Sequence, residues 1–88
     1  AVRLLGVDPG ATGALALLVG GRLERVDDMP VLRVRRGRGD KAEVDGYSLA
    51  GLLRELRPDL AYVELVGGIP GQSAPAAFNF GRAAGAAE

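Results

Sequence analysis

One amphipathic helix separates two apolar segments of the 88-residue chain, and this order constrains the fold more than any other feature. The helix is predicted over residues 47–57, where leucines recur at intervals of three and four positions and therefore share one face. Asp45 is a suitable N-cap, and Pro58 ends the helix. The apolar segments 2–7 and 60–66 are predicted strands. A helical crossover between two strands is right-handed and covers the sheet, so these strands are expected to be parallel.

The residues between the first strand and the helix predict an antiparallel meander followed by a loop. Residues 14–19 form a continuous apolar run, and residues 23–28 are the returning strand. Gly20 and Gly21 between them suit a tight hairpin turn, because both tolerate a positive φ. Residues 31–45 combine arginines with scattered glycines, which predicts a mobile basic loop.

The carboxyl-terminal residues carry weaker signals. Residues 67–75 are rich in glycine and proline and predict a loop, and residues 76–88 predict the start of a second helix. The chain is therefore expected to form a single α/β domain over residues 1–88. Its mixed sheet would contain an antiparallel three-stranded meander, a helical crossover and a fourth strand parallel to the first.

The composition excludes several kinds of chemistry. The chain has no cysteine and no histidine, so disulfides, zinc fingers and nucleophilic Ser-His or Cys-His catalysis are absent. Equal numbers of acidic and basic residues give zero net charge, which disfavours nucleic-acid binding by the chain as a whole. No apolar run approaches the roughly 20 residues of a membrane span, and no signal peptide is visible. A cytoplasmic protein with no membrane partner is expected.

Two carboxylates are the residues best suited to catalysis. Asp8 ends the first predicted strand, and Glu64 lies in the strand after the helix. If those strands are neighbours, both acids lie at the same edge of the sheet and offer the hard oxygen ligands that Mg²⁺ prefers. A pair of such ions can activate a water and stabilise the leaving oxygen of a phosphodiester. The alternative is structural: Asp8 caps its turn, and Glu64 occupies an exposed strand position.

The turn that follows Asp8 is the second candidate. Gly10 and Gly13 allow backbone amides to approach a phosphate or a metal-bound water, and Thr12 adds a hydroxyl group. The turn lacks the Gly-Lys-Ser/Thr sequence of a Walker loop. A plain hairpin turn explains the same residues.

The third candidate is a basic segment. Five basic residues fall within nine positions, namely Arg33, Arg35, Arg36, Arg38 and Lys41. The four arginines are predicted to neutralise nucleic-acid phosphates, and the alternative is a solvated surface loop.

Phe78 and Phe80 suit either stacking on a displaced base or packing in the core, and packing is favoured.

Five motifs together resemble the RuvC-type crossover-junction endodeoxyribonucleases, especially their phage-associated branch. They are Gly-Val-Asp-Pro-Gly-Ala-Thr-Gly-Ala at 6–14, Asp-Met-Pro at 28–30, Pro-Asp-Leu-Ala-Tyr-Val-Glu at 58–64, Pro-Gly-Gln at 70–72 and Phe-Asn-Phe-Gly-Arg at 78–82. Their order and spacing match over nearly the whole chain. The resemblance implies a ribonuclease H-like fold and cleavage of branched DNA, such as a Holliday junction. The family works as a homodimer with two Mg²⁺ or Mn²⁺ ions, and no small-molecule cofactor is expected.

The resemblance also implies roles for individual residues. Asp8 and Glu64 would be catalytic metal ligands, and Gln72, Asn79 and Arg82 would contact the junction strands. The family has a further strand and more acidic residues on a final helix, which this sequence lacks. The chain is therefore expected to be an amino-terminal portion of a resolvase with an unprotected sheet edge. Alone, it is expected to cleave DNA poorly.

Two other functions stay open. The ribonuclease H-like superfamily includes actin-like ATPases and sugar kinases, whose first hairpin resembles residues 6–13 and holds ATP phosphates. Pro9, Glu64 and residues 78–82 favour the nuclease. The remaining alternative is a catalytically inactive remnant that binds DNA junctions without metal.

Overall fold

The computed structural model describes residues 1–66 and 73–80, which form seven strands and one helix. The strands are β1 Arg3–Asp8, β2 Ala14–Val19, β3 Arg22–Asp28, β4 Val31–Arg36, β5 Gly39–Val44, β6 Leu60–Val66 and β7 Ser73–Asn79, and the helix is α1 Gly46–Leu56. Five strands form a main sheet with the order β3-β2-β1-β6-β7, and β4 pairs separately with β5. The α/β class is therefore confirmed, with a mixed sheet and one helix.

The main sheet has the predicted strand directions. β1 is antiparallel to β2, which is antiparallel to β3, and β1 is parallel to β6 across the α1 crossover. The tight turn between β2 and β3 contains Gly20 and Gly21 with φ values of 59° and 81°. The meander, the crossover and the parallel strand are thus confirmed.

The prediction of a mobile loop over residues 31–45 is wrong. β4 and β5 form a hairpin, and Gly37 in its two-residue turn has a φ of 60°. Hairpin turns place glycine at such a position because it adopts positive φ without steric cost. The scattered glycines suggested a loop, whereas the alternation of Leu32 and Val34 with arginines is the two-residue period of a strand.

The predictions for the segment after β6 also need correction. Residues 73–75 do not belong to a loop and residues 76–79 do not begin a helix, because both belong to β7, which pairs antiparallel with β6. The expectation that the sequence lacks a further strand is therefore wrong, because β7 is the fifth strand of the main sheet. Its pairing also protects the edge of β6, which was expected to be unprotected. The predictions for residues 67–72 and 81–88 lie outside the residues that the structure describes.

The hydrophobic core lies between α1 and one face of the main sheet. Its buried side chains come from both layers: Leu5, Leu15, Leu17, Met29, Leu56 and Ala61. Leu49, Leu52 and Leu53 on the predicted apolar face of α1 pack against them. The opposite sheet face leaves Val26 and Tyr62 exposed by 59% and 47%. One face of the main sheet is therefore open among the described residues.

Arg3 links β1 to the carboxyl-terminal end of α1. Arg57 is the C-cap of the helix, and its φ of 52° lies in the left-handed region. The guanidinium of Arg3 donates to the Leu56 carbonyl from Nη2 at 2.6 Å and from Nε at 3.0 Å, and to the Arg57 carbonyl at 3.1 Å. A cation at this end satisfies free carbonyls and opposes the negative end of the helix dipole. The one basic residue of β1 thus caps the helix.

Acid is expected to weaken the amino-terminal cap of α1. The predicted N-cap Asp45 accepts hydrogen bonds from the Ser48 hydroxyl at 2.7 Å and the Ser48 N–H at 3.1 Å, which lower the pKa of Asp45 below its ordinary value of 3.8. Ionised Asp45 therefore stabilises the fold above that value, and this stabilisation is lost as the pH falls through the folded-state pKa.

The change that tests this is Asp45→Asn, because asparagine keeps an N-cap acceptor but does not titrate. We expect the melting temperatures of the wild type and the variant to differ at about pH 6 and to converge at about pH 2. Thermal unfolding followed by circular dichroism measures both. A difference that stays constant over this range would contradict the role of the charge.

Among the described residues, no helix has the length and the apolar character that crossing a bilayer requires.

Candidate metal centre

Asp8 and Glu64 come together on the open face of the main sheet. The parallel register of β1 and β6 sets Gly6 beside Tyr62 and Val7 beside Val63. One position further along each strand lie Asp8 and Glu64, which share the face of Tyr62 because side chains alternate between faces. Both are exposed. The α1 crossover therefore brings together two acids that lie far apart in sequence.

A third carboxylate, Asp28, lies in the same row across the sheet. Ala14 of β2 is the register partner of Asp8 on one side and of Asp28 on the other. The row therefore runs Asp28, Ala14, Asp8, Glu64 on the open face. Asp28 stands two strands from Asp8, which is about 10 Å at the usual strand spacing. No three acidic residues within 1–66 and 73–80 are close enough to hold one metal ion.

Asp28 was not among the site residues predicted from the sequence. Counting the register outward from the Gly20-Gly21 turn would not have found it, because an irregularity between Leu17 and Leu18 places Asp28 instead of Asp27 opposite Ala14. Its neighbour Asp27 is opposite Leu15 on the α1 side. There Arg25 bridges Asp27, at 2.7 Å, and Glu55 of α1, at 3.1 Å, and its hydrogen bond lowers the pKa of Asp27. Arg25 therefore joins β3 to α1, and Asp27, its partner on β3, takes no part in the row.

The turn after Asp8 holds the backbone of this acid in place. The Gly13 N–H donates to the Gly10 carbonyl at 3.1 Å, and the Gly13 carbonyl accepts from the Met29 N–H at 3.0 Å. A Cβ at Gly13 would overlap the Asp8 carbonyl oxygen, so only glycine fits. The amide of Gly13 is engaged inside the turn. Gly10 and Thr12 are exposed beside Asp8, and their contact with a phosphate stays a prediction.

The aromatic residues near the carboxyl end lie away from the carboxylates. Phe78 is the register partner of Ala61, which is on the α1 face. Phe78 and Phe80 both line an apolar cavity of about 340 Å³, together with Leu53 and Val63. Because 48% of Phe78 and 43% of Phe80 are exposed, the choice between packing and base stacking stays a prediction.

The predicted DNA contacts are spread over the molecule. Asn79 is opposite Leu60, so it lies at the end of β6 distant from Glu64. Gln72 and Arg82 lie outside the residues described. The four arginines predicted to bind phosphates, Arg33, Arg35, Arg36 and Arg38, are exposed on the β4–β5 hairpin. The structure therefore places these cations on a separate element from the carboxylates.

Asp8 and Glu64 suit a hard divalent cation. Two neighbouring carboxylates on an exposed surface supply oxygen ligands and leave room for the waters that Mg²⁺ retains. No family model matches the chain, and a search of curated proteins finds no similar sequence. The resemblance to RuvC-type nucleases rests on the sequence motifs alone.

Proposed function

We propose that the chain is the metal-binding portion of a structure-selective DNA endonuclease of the Holliday junction resolvase type, with a ribonuclease H-like fold. The observation that carries this proposal is the adjacency of Asp8 and Glu64 at the end of two parallel strands. Its partners would be branched DNA and a second copy of the chain, in the cytoplasm. Two Mg²⁺ or Mn²⁺ ions would be the cofactors.

Each carboxylate has a defined task in this proposal. Asp8, on the central strand with Glu64 beside it, would be the ligand common to both ions, and Glu64 would hold one of them. Bound metal would supply an activated water and neutralise charge on the phosphodiester. The close approach of Gly13 to the Asp8 carbonyl would limit the movement of the Asp8 backbone when a metal binds.

A second candidate function is an inactive junction-binding module. The observation that favours it is the lack of a third carboxylate close to this pair among the described residues. Such a module would bind branched DNA equally well with alanine at both Asp8 and Glu64. It would have no measurable affinity for Mg²⁺.

Titration of the ¹⁵N-labelled protein with Mn²⁺ tests the metal site without requiring catalysis. We expect paramagnetic broadening to be strongest for the amides of Val7, Asp8, Val63 and Glu64. Either Asp8→Asn or Glu64→Gln should weaken Mn²⁺ binding at least about 10-fold, because each removes one of the two adjacent carboxylates.

The matched control is Glu24→Gln, which removes an exposed acid from β3. It should leave Mn²⁺ affinity within about 2-fold of the wild type, since a distant surface charge acts only weakly through salt solution. Paramagnetic broadening of equal strength beside all exposed acids would contradict a specific metal site at Asp8 and Glu64. Binding of a four-way junction that persists without any Mn²⁺ affinity would favour the inactive module.

A further inference from the structure

The positive charge of the protein is concentrated on one element. Residues 31–44, the β4–β5 hairpin, contain five basic and two acidic side chains, which gives a net charge of +3 in a chain whose total is zero. The remaining residues therefore carry a net charge of −3. A neutral protein that concentrates its positive charge on one element can bind a polyanion with that element alone.

Four of the five hairpin cations form no ion pair within the described residues, and three of these four donate no side-chain hydrogen bond there either. Arg36 is paired with Glu43 at 2.6 Å, and Arg35 donates to the Gly37 carbonyl at 3.4 Å and lies opposite Asp40. Among the ion pairs of residues 1–66 and 73–80, none involves the exposed side chains of Arg33, Arg38 and Lys41. These three, here called the free cations, have their charge available for an external partner.

The free cations point in different directions from the hairpin. Arg33 is the register partner of Ala42, and Lys41 is the partner of Val34, so the two occupy opposite faces of the ribbon. Arg38 is in the turn at its tip. A flat anionic surface, such as a membrane or an acidic protein face, would contact one face only. A groove with phosphates on both walls would contact both faces and the tip.

The dimensions of the hairpin fit such a groove. β4 and β5 pair with each other and with no strand of the main sheet, so they form a ribbon two strands wide. The major groove of B-DNA, about 12 Å across, admits a two-stranded ribbon. The deep and narrow major groove of an RNA duplex does not.

We propose that the β4–β5 hairpin enters the major groove of a DNA duplex and that the free cations Arg33, Arg38 and Lys41 contact its phosphates. This inference rests on the proposed function in taking DNA as the partner. It assigns the recognition of duplex arms to an element that contains no metal ligand. Binding through the hairpin is therefore independent of the metal.

Fluorescence anisotropy with a labelled duplex of about 20 base pairs, in EDTA and at several salt concentrations, tests the proposal. The plot of log affinity against log salt should become shallower by about 0.9 for each lost phosphate contact. We expect this change for Arg33→Gln, Lys41→Gln and Arg38→Gln. The matched control is Arg22→Gln, which removes an equal exposed charge from β3 and should leave the slope nearly unchanged.

The outcomes separate this proposal from the metal site. Equal slopes for Arg38→Gln and Arg22→Gln, with tight wild-type binding, would overturn the hairpin interface and leave the nuclease proposal intact. An effect of Arg33→Gln without one of Lys41→Gln would overturn the groove geometry, as would equal affinity for an RNA duplex. A wild type that binds no DNA in EDTA would overturn the hairpin proposal, whereas the Mn²⁺ titration judges the metal site separately.

Discussion

The variant Gly13→Ala is expected to lower the free energy of unfolding by about 3 kcal/mol, at the upper end of the usual cost of overpacking. A Cβ at this position would overlap the Asp8 carbonyl oxygen and stand 2.8 Å from its carbon and 3.0 Å from the Pro9 oxygen. All three are backbone atoms, so no side-chain rotation relieves the overlap. The turn must open, which strains the hydrogen bonds that Gly13 makes to Gly10 and Met29.

Urea unfolding measures this effect through the shift of the midpoint at constant slope. The control is Gly39→Ala on the β4–β5 hairpin, where an added Cβ meets no atom within 4 Å and φ is not positive. That variant should unfold within about 0.5 kcal/mol of the wild type. Similar midpoints for the two variants would contradict the close packing of Gly13 against Asp8.

Gly13→Ala also links the stability of this turn to the candidate metal centre. Opening the turn moves the Asp8 backbone, so the carboxylate loses its alignment with Glu64 on β6. Molecules of Gly13→Ala that remain folded are therefore expected to bind Mn²⁺ more weakly than the wild type. Gly39→Ala, distant from the row of carboxylates, should bind it normally.

Much of the main sheet could be predicted because its signals are local or topological. The leucine spacing defines the buried face of α1, and Gly20 and Gly21 define a tight turn. The handedness of crossovers then makes β1 and β6 parallel. No similar local signal marks β7, whose alanine-rich sequence favours a helix in isolation. It becomes a strand because the open edge of β6 offers backbone partners, and strand formation depends strongly on such context.

The acidic residues of the candidate site could be predicted only where the order and direction of the strands alone place them. Asp8 and Glu64 follow from two parallel strands, but Asp28 depends on the register between β2 and β3. An irregularity between Leu17 and Leu18 shifts that register by one residue. Without the shift, Ala14 would be opposite Asp27 instead of Asp28. Because a shift of one residue exchanges the two faces of a strand, the sequence cannot tell which aspartate shares the face of Asp8.

Removal of the Asp59 carboxylate is the second change with a large expected effect. Asp59 is only 4% exposed, and its Oδ2 accepts a hydrogen bond from the Arg3 N–H at 2.9 Å. Its backbone N–H donates to the Arg3 carbonyl at 2.8 Å, and its carbonyl accepts from the Phe80 N–H at 3.1 Å. Asp59 thus joins β1, the end of the α1 crossover and the residue after β7.

We expect Asp59→Ala to lower the free energy of unfolding by about 2 to 3 kcal/mol, because it leaves the Arg3 N–H without its charged acceptor. Asp59→Asn keeps an oxygen at this position and should lose about 1 kcal/mol, the difference between a charged and a neutral hydrogen bond. Urea unfolding of both variants measures the two losses. The control, Asp40→Ala, removes an exposed acid from β5 and should change stability by less than about 0.5 kcal/mol.

The comparison between the alanine and asparagine variants isolates the hydrogen bond from the loss of volume. Hydrogen exchange at the Arg3 amide adds a local measurement: it should accelerate strongly in Asp59→Ala and only slightly in Asp59→Asn. Arg3 also caps α1 through its guanidinium, so loosening its backbone should weaken the crossover that aligns Asp8 with Glu64. Equal and small losses in both variants, with unchanged exchange at Arg3, would contradict this structural role of Asp59.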